Sequence, residues 1–150
     1  MQITADSLFF APSDLITYME SAFASHMERW RLADENVKNL MDPDDPMLVT
    51  LRRQGYAHED AYLESLRAEA TDVVKIDDPS TDVMLSQTRE AMSNGVEIIA
   101  QAYLKLDNFG GMADFLVKVP GASQLGDYHY EIWDAKLSKK MKPYFAVQLC

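Results

Sequence analysis

At 150 residues, with 47% hydrophobic and 25% charged positions, the chain is sized for one domain with a real core, which excludes disorder, collagen-like repeats and low-complexity character. Its 14 basic against 24 acidic residues leave a net charge of -10, which excludes attachment to DNA or anionic lipid through bulk charge and confines any nucleic-acid contact to local patches. The single cysteine, Cys150, excludes an intrachain disulfide, a zinc ribbon and a four-cysteine iron-sulfur site, and suits a reducing cytosol. No apolar run reaches the length of a membrane span, and the start lacks the basic region of a signal peptide. A cytoplasmic protein with no membrane partner is therefore expected.

In chain order, Ser13-Asp14 followed by Leu15, Ile16, Met19 and Phe23 predicts an N-capped amphipathic helix that continues through Met27, Trp30 and Leu32. Asp42-Pro-Asp-Asp-Pro46 breaks it, and a second helix starts at Met47 and ends near Ala70, carrying Gly55, His58, Glu59, Tyr62, Leu63 and Leu66. Val73 to Ile76 predicts a short strand, and Thr81 N-caps a helix that Asn94-Gly95 stops. Val96 to Leu106 reads as a buried strand and Asp107 to Gly111 as a turn. Met112 to Val119 is the returning strand, Pro120 to Gly126 a loop, and Tyr128 to Lys136 a third strand. A last helix begins near Pro143. The chain stops inside the apolar run Tyr144 to Cys150 with no cap, so a C-terminal truncation is expected. Trp133, Tyr130, Phe115 and Tyr144 read as core residues.

Alternation on the third strand puts Tyr130, Ile132, Asp134 and Lys136 on one face. If the strand bearing Gly111-Met-Ala-Asp114 lies beside it, two carboxylates meet. Magnesium takes octahedral oxygen ligands from one or two carboxylates, a carbonyl and waters. Asp114, Asp134, the Ala135 carbonyl and a nearby Lys136 supply that set. An acid-x-Lys triplet arises about once by chance in a chain of this composition, so the argument rests on its context: a strand, an upstream Gly-x-x-Asp, and a helix able to bring a third ligand. Lys139, Lys140 and Lys142 form the one dense basic cluster and suit a phosphate backbone.

The strings Gly111-Met-Ala-Asp114-Phe-Leu, Tyr130-Glu-Ile-Trp-Asp134-Ala-Lys136-Leu and Val147-Gln148-Leu-Cys resemble the core of the RecB-like branch of the PD-(D/E)xK nuclease superfamily. Gly55-Tyr-Ala-His58-Glu59 with Tyr62-Leu63 is similar to that branch's first motif, one residue shorter than its usual Gly-to-His spacing. Pro12-Ser-Asp-Leu15, Ala91-Met-Ser-Asn-Gly95 and Ile99-Ala-Gln101 resemble RecB-like nuclease domains that form the N-terminal part of larger helicase-linked proteins.

The resemblance implies an α/β fold with a restriction-endonuclease-like core, a small mixed sheet flanked by helices: residues 1–46 a helical brace, 47–150 the nuclease core, incomplete at its C-terminus. It makes Asp114 and Asp134 ligands of Mg²⁺ or Mn²⁺, Lys136 the catalytic lysine, and Gln148 the start of a Gln-x-x-x-Tyr motif whose tyrosine falls beyond Cys150. Either His58 or Glu59 completes the ligand set; Glu59 shares a helical stripe with Leu63 and Leu66. No iron-sulfur cluster is expected, because the helix after Tyr18 has no cysteine, and Cys150 reads as a small buried apolar residue. The implied function is metal-dependent hydrolysis of DNA, as an exonuclease in recombination or repair, with a helicase domain of a longer parent as partner. The alternative is a truncated, non-catalytic module that binds nucleic acid or a helicase. The acidic balance is compatible with a polyanionic substrate insofar as carboxylates face a cation and much of the remaining negative charge lies in residues 34–82.

Overall fold

The computed structural model describes residues 1–3, 7–40, 43 and 45–149, which group into two compact units. The first comprises residues 1–50, 105–111 and 139–150, the second residues 51–104 and 112–138. Cys150 and part of the Asp42 to Pro46 break lie outside the described residues.

In the first unit, the short strands β1 (Gln2–Ile3) and β2 (Leu8–Phe9) pair antiparallel ahead of α1 (Pro12–Glu20) and α2 (Ala22–Ala33). The single helix expected here is two, because Ser21 is extended at φ -159°, and its hydroxyl accepts the Ala24 N–H at 3.1 Å to cap α2. The α1 N-cap is Ala11 rather than Ser13; Asp14 reaches back and accepts the Ala11 N–H at 2.7 Å. A 3₁₀ turn (Glu35–Leu40) follows, and α5 (Pro143–Gln148) opens on the expected proline. Phe10 pairs with the hairpin tip, its N–H donating to Asn108 O at 2.8 Å and its carbonyl accepting the Gly110 N–H at 2.9 Å. Gly111, read from the sequence as a turn residue, lies in a strand. A Cβ there would come within 2.8 Å of Pro12 Cδ, so close approach excludes a side chain.

The second unit is built on a four-stranded sheet in the order β3 (Val73–Lys75), β4 (Ile98–Leu106), β5 (Phe109–Ser123), β6 (Gly126–Trp133). The two central strands extend into the tip assigned to the first unit. β3 and β4 are parallel with Lys75 opposite Ala100, and β5 and β6 are antiparallel with Phe115 opposite Trp133, so the sheet is mixed. Helix α3 (Pro46–Glu69) opens with Asp45 accepting the Met47 N–H at 2.8 Å, and α4 (Thr81–Ser93) ends at Asn94 with Gly95 at φ +69°. Thr81 is the first residue of α4, and Ser80 rather than Thr81 occupies the N-cap.

Two cores flank the sheet. On one side Leu63 and Leu66 of α3 pack with Ile98, Ala100 and Phe115; on the other Met84 and Ala91 of α4 pack with Ile99, Ala113 and Leu116. Tyr62 meets Phe115 edge to face at 5.4 Å.

Two strand boundaries differ from the expectation. β5 does not stop at Val119 but runs through Pro120 to Ser123, where a register shift accommodates the missing proline N–H. β6 ends at Trp133, so Asp134, Ala135 and Lys136 leave the strand, and strict alternation does not set their direction. Trp133 is 39% exposed rather than core, because β6 is the sheet edge and its outer face is uncovered. Among the described residues, no helix is long and apolar enough to cross a membrane.

Candidate functional site

Register brings the two aspartates together. The ladder ends with Phe115 opposite Trp133, and Asp114 and Asp134 are the next residues along the two chain segments. The backbone closes this end of the pair through Asp114 itself, whose Oδ2 accepts the Ala135 N–H at 2.9 Å. Asp134 in turn accepts a hydrogen bond from Lys136 Nζ at 2.6 Å, a charge-assisted contact between half-buried groups.

Helix α3 supplies a third carboxylate from the same face that carries Leu63 and Leu66. Glu59 is half-buried, and its Oε2 accepts a long hydrogen bond of 3.4 Å from Gln101 Nε2 of β4. Burial raises the Glu59 carboxyl above its ordinary range, the negative charges of Asp114 and Asp134 push it further, and Lys136 and Gln101 oppose the rise. Asp114 is raised as well, first by burial and then by the charge and hydrogen bonding of Asp134, against the lowering effect of the Ala135 N–H and Lys136. The four groups thus share one electrostatic environment in which three acids crowd a single ammonium.

His58 borders Asp134 and Ala135. It is exposed and lines a hollow of about 340 Å³ with Tyr62, Trp133, Asp134 and Ala135. Glu59 lines a cleft of about 410 Å³ with Tyr56, Asp60, Lys75, Asp77, Met84 and Gln101 among others. Lys139, Lys140 and Lys142 are exposed on the segment leading into α5, where Lys142 lies over the Tyr144 ring at 5.5 Å; Gln148 is the last residue of α5 and half-buried. These four residues belong to the first unit and the carboxylate cluster to the second.

The donor set suits a hard divalent cation. Two neighbouring, half-buried carboxylates match part of the oxygen set that magnesium takes from proteins. The crowding that raises Glu59 and Asp114 is what a cation relieves. Among the described residues, no three His, Cys, Asp or Glu side chains converge closely enough to ligate an ion as they stand. The fit therefore rests on the aspartate pair, with Glu59 as an outlying third carboxylate.

Gln101 is a neighbour of the site that the sequence does not mark, since a glutamine inside an apolar strand carries no signal of its own. Comparison with family models, with curated proteins and with solved structures returns no match.

Proposed function

We propose that the chain is a RecB-like, metal-dependent DNA nuclease domain with a restriction-endonuclease-like core, hydrolysing phosphodiester bonds as an exonuclease in recombination or repair. One observation carries the reading: Asp114, Asp134 and Lys136 gather at the end of the β5–β6 pair, linked by the Ala135 N–H to Asp114 and by the Lys136 ammonium to Asp134. A bound Mg²⁺ or Mn²⁺ supplies Lewis acidity at a phosphoryl oxygen and a more acidic water.

The chain's own groups do the rest. Asp114 and Asp134 hold the cation, with the Ala135 carbonyl as a further oxygen, while the Ala135 N–H fixes one oxygen of Asp114. Lys136, tethered to Asp134 in the resting protein, offers an ammonium that orients the attacking water and balances charge building on the phosphate. A further ligand comes from α3, either His58, which borders Asp134, or Glu59. Lys139, Lys140 and Lys142 are the candidate contacts to the DNA backbone. A cytoplasmic location and a helicase domain of a longer parent complete the proposal.

The test is cleavage of linear single- and double-stranded DNA with Mn²⁺ by wild type, Asp134→Asn and Lys136→Ala. Metal-dependent cleavage by wild type, abolished in Asp134→Asn and lowered about 10²–10³-fold in Lys136→Ala, supports the reading. A folded protein that neither binds Mn²⁺ nor cleaves overturns it in favour of a non-catalytic binding module.

A further inference from the structure

The backbone of β4 turns left-handed at one residue, Gln101, whose side chain meets the Glu59 carboxylate. Ile98 and Ala100 pack in the core on the α3 side of the sheet and Ile99 in the core on the α4 side, so regular alternation sends residue 101 toward α4. Instead Gln101 adopts φ +55°, a left-handed conformation that a residue with a side chain rarely takes within a strand. Its amide reaches Glu59 of α3. The break coincides with the end of parallel pairing: β3 matches β4 as far as Ala100, whose carbonyl accepts the Ile76 N–H at 2.9 Å, and no ladder partner on that side follows among the described residues.

We propose that Gln101 is a positioning residue, whose strained backbone turns its amide onto Glu59 and holds that carboxylate toward the Asp114–Asp134 pair. The proposal rests on the metal-site reading above. A glutamate beside two other carboxylates is repelled by them, and three rotatable bonds let it swing into water. A neutral amide resists this by donating an N–H while leaving the carboxylate its charge and its second oxygen. A lysine at the same place would neutralise Glu59 in an ion pair and compete with a cation. Strain kept at a single residue, beside a cluster of like charges, is the pattern of a locally enforced side-chain direction.

The alternative is that the kink only ends the strand pairing, and two substitutions separate the two accounts. Gln101→Gly accepts φ +55° freely and removes the amide; Gln101→Asn tolerates the left-handed backbone but is one methylene too short to reach Glu59. Mn²⁺ affinity is measured by titration calorimetry on the full chain, with thermal unfolding of the metal-free protein alongside. Both variants should unfold at or above the wild-type temperature or close to it, and bind Mn²⁺ about 10- to 100-fold more weakly. In a Glu59→Gln background, adding Gln101→Gly should change the affinity less than twofold, because the group it positions is already altered.

Wild-type affinity in Gln101→Gly overturns the proposal, as does an equal loss in both backgrounds. A wild-type protein that binds no Mn²⁺ overturns the metal-site reading as well. Binding by wild type and Gln101→Gly alike leaves that reading standing and removes only the role of Gln101.

Discussion

Replacing Thr88 by valine isolates one hydrogen bond. Among the described residues Thr88 is the one buried polar residue, fully enclosed on α4, and its hydroxyl accepts the Tyr103 N–H at 3.1 Å. That N–H belongs to the part of β4 beyond its pairing with β3, so the helix side chain takes the place of a missing strand. Valine keeps the shape almost unchanged and removes the acceptor, so packing loss is small and the Tyr103 N–H is left buried without a partner. Such a group costs about 1–3 kcal/mol. For a domain of this length each kcal/mol moves the melting temperature by about 2–4 °C, giving a fall of roughly 2–12 °C. Urea unfolding should show a lower midpoint at unchanged slope, and the Tyr103 amide should exchange faster with solvent. Thr88→Ser keeps the acceptor and loses one methyl, about 0.8 kcal/mol. Thr88→Val matching wild type in stability, or Thr88→Ser proving the worse of the two, would refute the reasoning.

The remaining predictions concern the carboxylates, two glycines and one phenol. The folded protein holds the Asp114 proton more tightly than the unfolded chain does, so ionising this group costs stability. That cost appears as the pH rises from the ordinary value near 3.8 through the raised one. Metal-free Asp114→Asn should therefore melt above wild type at pH 7, with the gain vanishing in acid, while Mn²⁺ raises the melting temperature of wild type alone. Gly55→Ala should raise stability by about 0.5–1 kcal/mol in urea unfolding, because nothing lies within 4 Å of a Cβ there. Gly111→Ala should lower it, since its methyl would overlap the Pro12 ring. Tyr130, pushed up to about 12 by burial and by its neighbours Tyr128 and Asp72, stays protonated after the unfolded chain has ionised near 10. Stability should fall through that window in alkaline unfolding and fall less in Tyr130→Phe.

Features set by local chemistry were legible in the sequence. The apolar stripe of Leu63 and Leu66 predicts α3, the β-branched runs near Val73 and Ile98 predict strands, and Asn94-Gly95 predicts the end of α4; all three stand in the structure. The strand bearing Asp114 does lie beside β6, but Asp134 stands one residue past the end of β6. Tertiary circumstance set what the sequence did not reveal. The Ser21 break, Pro120 within β5 and the exposure of Trp133 on an edge depend on neighbours distant in sequence. The choice between His58 and Glu59 depends on how α3 rolls onto the sheet, a rotation that heptad counting fixes only loosely. Gln101 was hidden most deeply, since only the folded backbone distinguishes it from any other strand residue.

The outermost strand is not left to its backbone partner alone. Tyr128 and Tyr130 of β6 cross the sheet with their hydroxyls, donating to Met92 O at 2.9 Å and Val96 O at 2.6 Å at the corner where α4 passes into β4. Carbonyls that end a helix ordinarily turn to water, and a terminal turn frays on its own. Here one phenol ties the last turn of α4 to the sheet edge and a second ties the segment that follows it, so peeling either one exposes both. Their amides should exchange with solvent as a single cooperative unit, which makes this corner a clasp on the margin of the sheet rather than two loose ends.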